Sequence, residues 1–322
     1  MTVKQTLLNY AADGLLEVLM GIPEKDLEEA EEVRLRIGRP IIINHHGGEF
    51  SVSAAGRPVT DIRQGFCPNR SHIAKCVALI SGYSLYAFEE SLRSGYLTLP
   101  GGYRVGVTGK TVIDEQGVKT LKHINGLNFR IGREVKGCAD AVLPLIADDE
   151  QVRHTLIISP PGCGKTTLLR DIIRRLSDGT HGHMAGQTVA VADERSEIAG
   201  CYLGVPQKDV GLRTDVLDGC PKADGMMMLL RSMSPKIIAV DEIGKSDDIT
   251  AIEEVINGGV TLLCTVHGRD VADLQKRATL AVLLSKNIFS RFVVLRKHGE
   301  VAGVYDERYN QVDKGGGERH VG

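Results

Sequence analysis

A glycine-rich segment of the sequence has the residue types and spacing that bind phosphate. Residues 159–167 read Ser-Pro-Pro-Gly-Cys-Gly-Lys-Thr-Thr and follow the short apolar run 155–158. Gly162 and Gly164 allow backbone conformations that a side chain would forbid, so successive N–H groups can face one anion. A helical pattern begins at Lys165, and a helix N-terminus adds partial positive charge. Strand, loop and helix in this order predict a P-loop.

The side chains of this loop predict nucleotide and metal binding. Lys165 supplies a positive charge for the β- and γ-phosphates of ATP, and Thr166 supplies a hydroxyl ligand for Mg²⁺. Ser159 stands where most P-loops have their first glycine, but a small residue at a strand end can serve there. The alternative is a chance Gly-Lys-Thr in an unrelated loop, which the strand and helix around it disfavour. The predicted nucleotide-binding residues are Ser159, Pro160, Pro161, Gly162, Cys163, Gly164, Lys165, Thr166 and Thr167.

Two acidic residues follow a second apolar run, residues 237–240. Acids at the end of a buried strand lie at the carboxyl edge of a sheet, where α/β proteins bind their ligands. There Asp241 would hold Mg²⁺ through water, and Glu242 would polarise the attacking water. Adjacent acids favour hydrolysis over transfer to a small acceptor, so a small-molecule kinase is a less favoured reading.

Two further segments predict polar groups at the same edge. Residues 191–198 read Val-Ala-Asp-Glu-Arg-Ser-Glu-Ile, and their carboxylates either join the site or belong to an ordinary charged loop. Thr265 and His267 end another apolar run and share one face because side chains of a strand alternate. His267 could sense the γ-phosphate, or it could be a structural histidine at a strand end.

The elements that must position these residues are predicted from hydrophobic patterns. In the second half, apolar strands alternate with helical patterns, which predicts an α/β unit with a parallel sheet covered on both faces. These strands are residues 155–159, 188–192, 236–240, 260–266 and 292–296. The first part predicts a smaller α+β domain with an antiparallel sheet, from strand patterns in 33–44 and 95–133 and helical patterns in 5–32 and 71–86. The acidic residues 28–32 are expected on a solvated helix face.

The predicted boundaries are residues 1–136 for the first domain, 137–312 for the second and 313–322 for a flexible, glycine-containing tail. His181 and His183 lie in a glycine-containing turn and predict a solvated loop, because two ligands are too few for a metal site.

Composition narrows the possible partners. The net charge of −2 and an aromatic content of 4% give no basic, aromatic groove, so no nucleic-acid partner is expected. Seven cysteines without a C-x-x-C pair predict reduced thiols in the cytoplasm. No signal peptide is visible, and no apolar run approaches the ~18 residues that span a bilayer.

The order of these motifs resembles the ATPases of type II and type IV secretion systems and of pilus motors. Those proteins carry a Walker A motif, an Asp box, a Walker B motif and a His box in this order, and residues 229–244 resemble their segment before Walker B. The resemblance implies that Glu194 and Glu197 join the Asp box. The sequence departs from that family in having Asp241, where a glycine is frequent, and in a short arginine-rich segment between the domains.

Nearly the full chain also resembles a family of proteins from stage III of sporulation, on residues 33–40, 102–109 and 159–166. This resemblance implies a RecA-like P-loop core, a hexameric ring and membrane-protein partners in a channel between mother cell and forespore. The sequence therefore predicts a cytoplasmic, Mg²⁺-dependent ATPase that is peripheral to the membrane through partner proteins. A nucleic-acid-dependent RecA-like ATPase is the alternative.

Two arginines near the hinge between the domains complete the predicted site. Arg130 and Arg133 end the first domain's last strand pattern. Phosphoryl transfer gains from an extra cation, which a neighbouring subunit can supply in trans. These arginines could reach a neighbour's phosphates, or they could form weak surface ion pairs.

Overall fold

The computed structural model describes residues 2–11, 13–84, 92–93, 95–115, 117–180 and 184–312. The chain forms two compact units, Met1–Gly132 and Arg133–Gly322, whereas the sequence analysis placed the boundary after residue 136. Three predictions lie outside the described residues: the tail, the loop of His181 and His183, and the last two residues of the helix expected over 71–86.

The described part of the first unit contains four α-helices and one antiparallel sheet. The helices are α1 (Val3–Asn9), α2 (Gly14–Gly21), α3 (Glu24–Glu28) and α4 (Arg70–Ile80), with a 3₁₀ turn at Ile62–Gln64. The strands are β1 (Ala30–Arg36), β2 (Arg39–His45), β3 (Gly48–Val52), β4 (Pro58–Val59), β5 (Tyr96–Leu99), β6 (Tyr103–Asp114) and β7 (Gly117–Arg130). Their order in the sheet is β4-β3-β2-β1-β7-β6-β5. The predicted α+β architecture is present.

The acidic stretch before the first hairpin was predicted wrongly. Helix α3 ends at Glu28, and β1 begins at Ala30, so Glu31 and Glu32 lie in a strand rather than on a helix face. The strand forms there because Ala30 and Val33 are both completely buried, on either side of a register shift in the pairing with β2. The charges stay toward solvent, where Glu32 accepts a hydrogen bond from Arg34.

The second unit is built on a mostly parallel sheet. Its strands are β8 (Thr155–Ser159), β11 (Val189–Asp193), β12 (Thr214–Asp218), β13 (Ile237–Val240), β14 (Thr261–His267), β15 (Arg291–Leu295) and β16 (Val301–Tyr305). A separate short ribbon consists of β9 (Gly179–Thr180) and β10 (Met184–Ala185). The sheet order is β12-β11-β13-β14-β8-β15-β16, and the edge strand β16 runs antiparallel to β15.

Helices cover both faces of this sheet. They are α5 (Leu143–Ile146), α6 (Lys165–Asp178), α7 (Lys222–Ser232), α8 (Ser246–Asn257), α9 (Val271–Gln275) and α10 (Ala278–Ser285), with a 3₁₀ turn at Lys297–Gly299. Ile157 belongs to the apolar cluster that includes Leu169 of α6, whereas its neighbour Ile158 belongs to the cluster that includes Ile252 of α8. Strand β8 therefore has three consecutive apolar residues, 156–158, because both of its faces are buried.

Each of the five strands predicted in this unit is present, with ends that agree to within one residue. Strands β12 and β16, which lie at the two edges of the sheet, were not predicted from the sequence. Within the described residues, no helix has both the length and the apolar character that crossing a membrane requires.

Candidate active site

The loop between β8 and α6 has the backbone geometry that was predicted for it. Gly162 and Gly164 have φ angles of 73° and 82°, in the left-handed region that favours glycine. Gly164 directly precedes the first residue of the 14-residue helix α6. Ser159 is completely buried, and its hydroxyl donates to the carbonyl of Pro160 at 2.9 Å. The loop thus turns its backbone at the N-terminus of a long helix, which suits an anion.

The strand order brings the predicted site residues to one edge of the sheet. In the parallel pairing of β14 with β8, His267 lies opposite Ser159, the last residue before the loop. Strand β13 pairs with the other side of β14 and ends at Val240, so Asp241 and Glu242 follow at the same edge. Lys165 and His267, which are 102 positions apart in the sequence, are neighbours here.

Asp241 lies between two threonine hydroxyls. Its Oδ2 accepts a hydrogen bond from Thr166 Oγ1 at 3.2 Å, and its Oδ1 accepts one from Thr265 Oγ1 at 2.5 Å. Thr265 is completely buried and also accepts the N–H of Glu242 at 2.9 Å. A hydroxyl and a carboxylate side by side are oxygen ligands of the kind that Mg²⁺ prefers. Among the described residues, no group of three or more His, Cys, Asp or Glu side chains could hold a metal ion.

Three basic groups surround the carboxylate of Glu242. Its Oε2 lies 3.9 Å from Lys165 Nζ and 3.6 Å from Arg195 Nη1, and its Oε1 lies 3.3 Å from His267 Nε2. The φ angle of Glu242 is 32°, which is unfavourable for a residue with a side chain. Hydrogen bonds from its N–H to Thr265 and Asp241 hold this conformation. Such backbone strain is found most often at functional sites.

His267 contacts the P-loop lysine as well as Glu242. Its Nε2 lies 3.3 Å from Lys165 Nζ, whereas its Nδ1 is buried without a hydrogen-bond partner among the described residues. A purely structural histidine would normally satisfy both ring nitrogens. Nε2 is the ring nitrogen that lies beside Lys165 and Glu242, and the phosphate-sensing role of His267 stays a prediction.

The acidic segment, residues 193–199, is held at both ends of its turn. Asp193 is completely buried, and its carboxylate accepts the N–H groups of Glu197, Ile198 and Ala199 at 2.8 to 3.0 Å. Burial raises the pKa of Asp193 to about 6, against the opposing effect of these donors. From the P-loop helix, the buried Arg170 donates to the carbonyl oxygens of Glu197 and Ile198. The segment is thereby fixed to helix α6.

The two glutamates predicted for the Asp box have different surroundings. Glu194 forms ion pairs with Lys222 and with Lys245, the latter at 3.8 Å. Burial opposes the shift, but the hydrogen bond and charge of Lys222 lower the pKa of Glu194. Glu197 is bound through its backbone, by Asp193 and Arg170. The catalytic contribution of both glutamates stays a prediction.

Sequence reasoning missed Arg195, which contacts Glu242 from within the acidic segment. The residue stood inside the predicted segment, but charged side chains are common in loops and nothing local marked it. Lys222 and Lys245, which pair with Glu194, were also missed, because they lie far from it in the sequence.

The two hinge arginines are placed as follows. Arg130 belongs to the first unit, where its Nε lies 4.0 Å from Glu32 Oε1. Arg133 is the first residue of the second unit. Their predicted role toward a neighbouring subunit stays a prediction.

Residues 1–312 match the family described as Sporulation stage III, protein AA. The chain belongs to this family. It is 40% identical over 305 residues to Stage III sporulation protein AA of Bacillus subtilis (strain 168), and the match covers 94% of this chain and 95% of that protein. The resemblance on which the sequence analysis relied is confirmed.

Two solved structures share the fold. The ATPase DotB of Legionella pneumophila superposes with a TM-score of 0.53 at 19% identity, covering 82% of this chain and 72% of that one. The pilus retraction motor PilT, solved with bound ADP, gives a TM-score of 0.52 at 14% identity, covering 85% and 76%. At these identities the similarity shows the fold alone, and it confirms the predicted fold class, a RecA-like α/β core with a parallel sheet.

Proposed function

We propose that this member of the family is a Mg²⁺-dependent ATP hydrolase. The observation that carries the proposal is the meeting of Thr166 and Asp241, with oxygens 3.2 Å apart, beside Lys165 and Glu242 at 3.9 Å. Lys165 and Thr166 begin helix α6, whereas Asp241 and Glu242 directly follow strand β13. Each has the chemistry that its position in a P-loop ATPase requires.

In the proposed mechanism, each residue of the site has a separate role in ATP hydrolysis. The backbone N–H groups of the loop and the charge of Lys165 hold the β- and γ-phosphates, while Thr166 and Asp241 hold the metal. When bound, Mg²⁺ neutralises charge that develops on the phosphate oxygens. Glu242 orients the attacking water and accepts its proton as the bond to phosphorus forms and ADP leaves. His267, which touches both Lys165 and Glu242, links the state of the phosphate to that carboxylate.

We further propose that the energy of ATP hydrolysis drives a membrane-bound complex. The family's connection with sporulation and the shared fold with a pilus retraction motor support an ATPase that drives a membrane-bound, secretion-like channel complex between mother cell and forespore. The working form in this proposal is a hexameric ring that lies in the cytoplasm and binds the membrane through partner proteins.

The test is phosphate release by the purified full chain with ATP and Mg²⁺. We expect turnover that chelation of Mg²⁺ removes and that Lys165→Ala abolishes while the unfolding midpoint stays unchanged, because the lysine's charge serves phosphate. Lys286→Ala, an exposed lysine outside the site, is the matched control. Wild-type turnover by Lys165→Ala would contradict the assignment. Strong stimulation by DNA or RNA would instead favour a nucleic-acid-dependent ATPase.

A further inference from the structure

Arg195 is a cation in the candidate site that the proposed mechanism leaves unused. Its Nη1 lies 3.6 Å from Glu242 Oε2, and the same oxygen lies 3.9 Å from Lys165 Nζ. One anionic oxygen is therefore flanked by two cations that come from different elements, the acidic segment and the P-loop. The side chain of Lys165 is 10% exposed, whereas that of Arg195 is 62% exposed.

Stability does not account for this contact. An ion pair at 3.6 Å to an arginine that is mostly exposed contributes at most about 1 kcal/mol, because water screens the charges and ordering the side chain costs entropy. Glu242 already has Lys165 and His267 beside it. A third basic group at this carboxylate is therefore better explained by ligand binding than by stabilisation of the fold.

The backbone that carries Arg195 is fixed on both sides. Before it, β11 ends at the buried Asp193, which binds the N–H groups of the turn. After it, Ser196 has a φ of 52° and its hydroxyl donates to Asp218. Arg170 holds the rest of the turn against helix α6. Arg195 therefore combines a fixed backbone with a long, exposed side chain. Its guanidinium can move toward a negative charge in the site without a change in the backbone.

The surroundings of Glu242 Oε2 match those that a phosphate oxygen needs. Lysine and arginine on either side of one anionic oxygen are the usual ligands of a transferred phosphoryl group, and a guanidinium fits phosphate geometry with paired donors. When a nucleotide occupies the P-loop, its phosphates compete with Glu242 for both cations. A γ-phosphate that takes over Arg195 also frees the carboxylate to orient water.

We propose that Arg195 binds the γ-phosphate of ATP within its own subunit, and so distinguishes ATP from ADP and releases Glu242 for catalysis. This inference rests on the proposed ATPase function and names a ligand of the same site. It differs from the role expected for Arg130 and Arg133, which would act on a neighbouring subunit.

The test compares the affinity for a non-hydrolysable ATP analogue with the affinity for ADP. Arg195→Gln should weaken analogue binding by ~10-fold or more, the scale of a lost hydrogen bond to a charged group, while ADP binding changes less than about twofold. Arg195→Lys should recover part of the selectivity. Arg231→Gln, an exposed arginine on α7, should leave both affinities unchanged.

Mixing experiments test whether the arginine acts in its own subunit. Arg195→Gln and Lys165→Ala remove groups from the same half of the site, so mixing the two proteins should restore no turnover. Restored turnover would overturn action within one subunit. Equal loss of analogue and ADP affinity, or no loss of either, in Arg195→Gln would overturn the γ-phosphate role. A wild-type protein that binds neither nucleotide would overturn the ATPase proposal itself, and this inference with it.

Discussion

Two aspartates lie at the ends of neighbouring parallel strands of the same sheet, yet their surroundings suit them to different roles. Asp193, at the end of β11, is completely buried and spends its carboxylate on three backbone N–H groups. Asp241, just after β13, is only partly buried and accepts two threonine hydroxyls and a single backbone N–H, that of Glu242. A carboxylate saturated by backbone donors holds a turn, whereas one beside hydroxyls keeps oxygens available for a metal. An acid at the edge of a sheet is therefore a candidate ligand only if its partners leave it free to bind.

The largest effect that separates the two aspartates is expected on catalysis. Asp241→Asn keeps the shape of the side chain but removes the charge that supports Mg²⁺, so turnover should fall by ~10²-fold or more. The free energy of unfolding should change by less than about 1 kcal/mol, because the amide oxygen can still accept from Thr265 and the amide NH₂ can donate to the hydroxyl of Thr166, which can rotate to accept. Phosphate release against Mg²⁺ concentration, together with urea unfolding, measures both quantities. If Asp241→Asn instead lost stability but kept normal turnover per folded molecule, Asp241 would have a structural role like that of Asp193.

Asp193→Ala should show the reverse pattern. The substitution leaves three N–H groups buried without an acceptor, and it should lower the free energy of unfolding by about 3 kcal/mol at pH 7. Turnover should fall mainly as the protein unfolds and recover at low temperature or with saturating nucleotide. Urea unfolding of the full chain measures the effect. An unchanged unfolding midpoint would contradict the structural role.

The difference in unfolding free energy between wild type and Asp193→Ala should change with pH in a defined direction. Burial raises the pKa of Asp193 from 3.8 to about 6, so the folded state binds this proton more tightly than the unfolded state. The part of the stability that depends on this proton is complete below pH 3.8 and is lost as the pH rises through about 6, by about 3 kcal/mol in total, whereas the hydrogen bonds to the three N–H groups remain at pH 7. The difference in unfolding free energy between wild type and Asp193→Ala should therefore shrink between about pH 4 and pH 7. A difference that grows with pH would show that the backbone donors outweigh burial.

The same comparison explains how much the sequence could predict. The geometry of the loop between β8 and α6 was predictable because each residue acts locally, with apolar residues forming β8, glycines adopting positive φ angles, and a lysine and a threonine starting α6. Asp193 and Asp241 could not be told apart, since both follow apolar runs and their partners come from other segments. The contact of Arg195 with Glu242 depends on β11 lying beside β13, a neighbour relation that no local pattern encodes. Strand β12, Thr-Asp-Val-Leu-Asp, was missed because an edge strand lacks a continuous apolar run.

The smallest effect is expected from the hinge arginines. Arg130→Ala or Arg133→Ala should lower turnover without abolishing ATP binding, because a cation supplied in trans acts on the transition state. The ion pair of Arg130 with Glu32, at 4.0 Å and 55% exposure of the arginine, contributes too little to the fold to account for such a loss. Arg39→Ala, an exposed arginine at the start of β2, is the control in the same unit.

Mixed oligomers distinguish the hinge arginines from residues of the subunit's own site. Either hinge variant mixed with Lys165→Ala should regain some turnover, since each protein supplies the half-site that the other lacks. Mixtures that remain as inactive as the separate proteins, at concentrations where oligomers are present, would argue against a shared site.

Glu242→Gln tests the central claim, that the strand end after β13 performs the chemistry of ATP hydrolysis. The glutamine keeps the size of the side chain but can neither orient water as a carboxylate does nor accept its proton. We predict that the variant binds ATP at least as tightly as wild type, because Lys165 and Arg195 lose a competing anion, and hydrolyses it at least ~10²-fold more slowly. ATP affinity and single-turnover hydrolysis measured on the same preparation decide the question. A collapse of nucleotide affinity, or hydrolysis at the wild-type rate, would contradict the account.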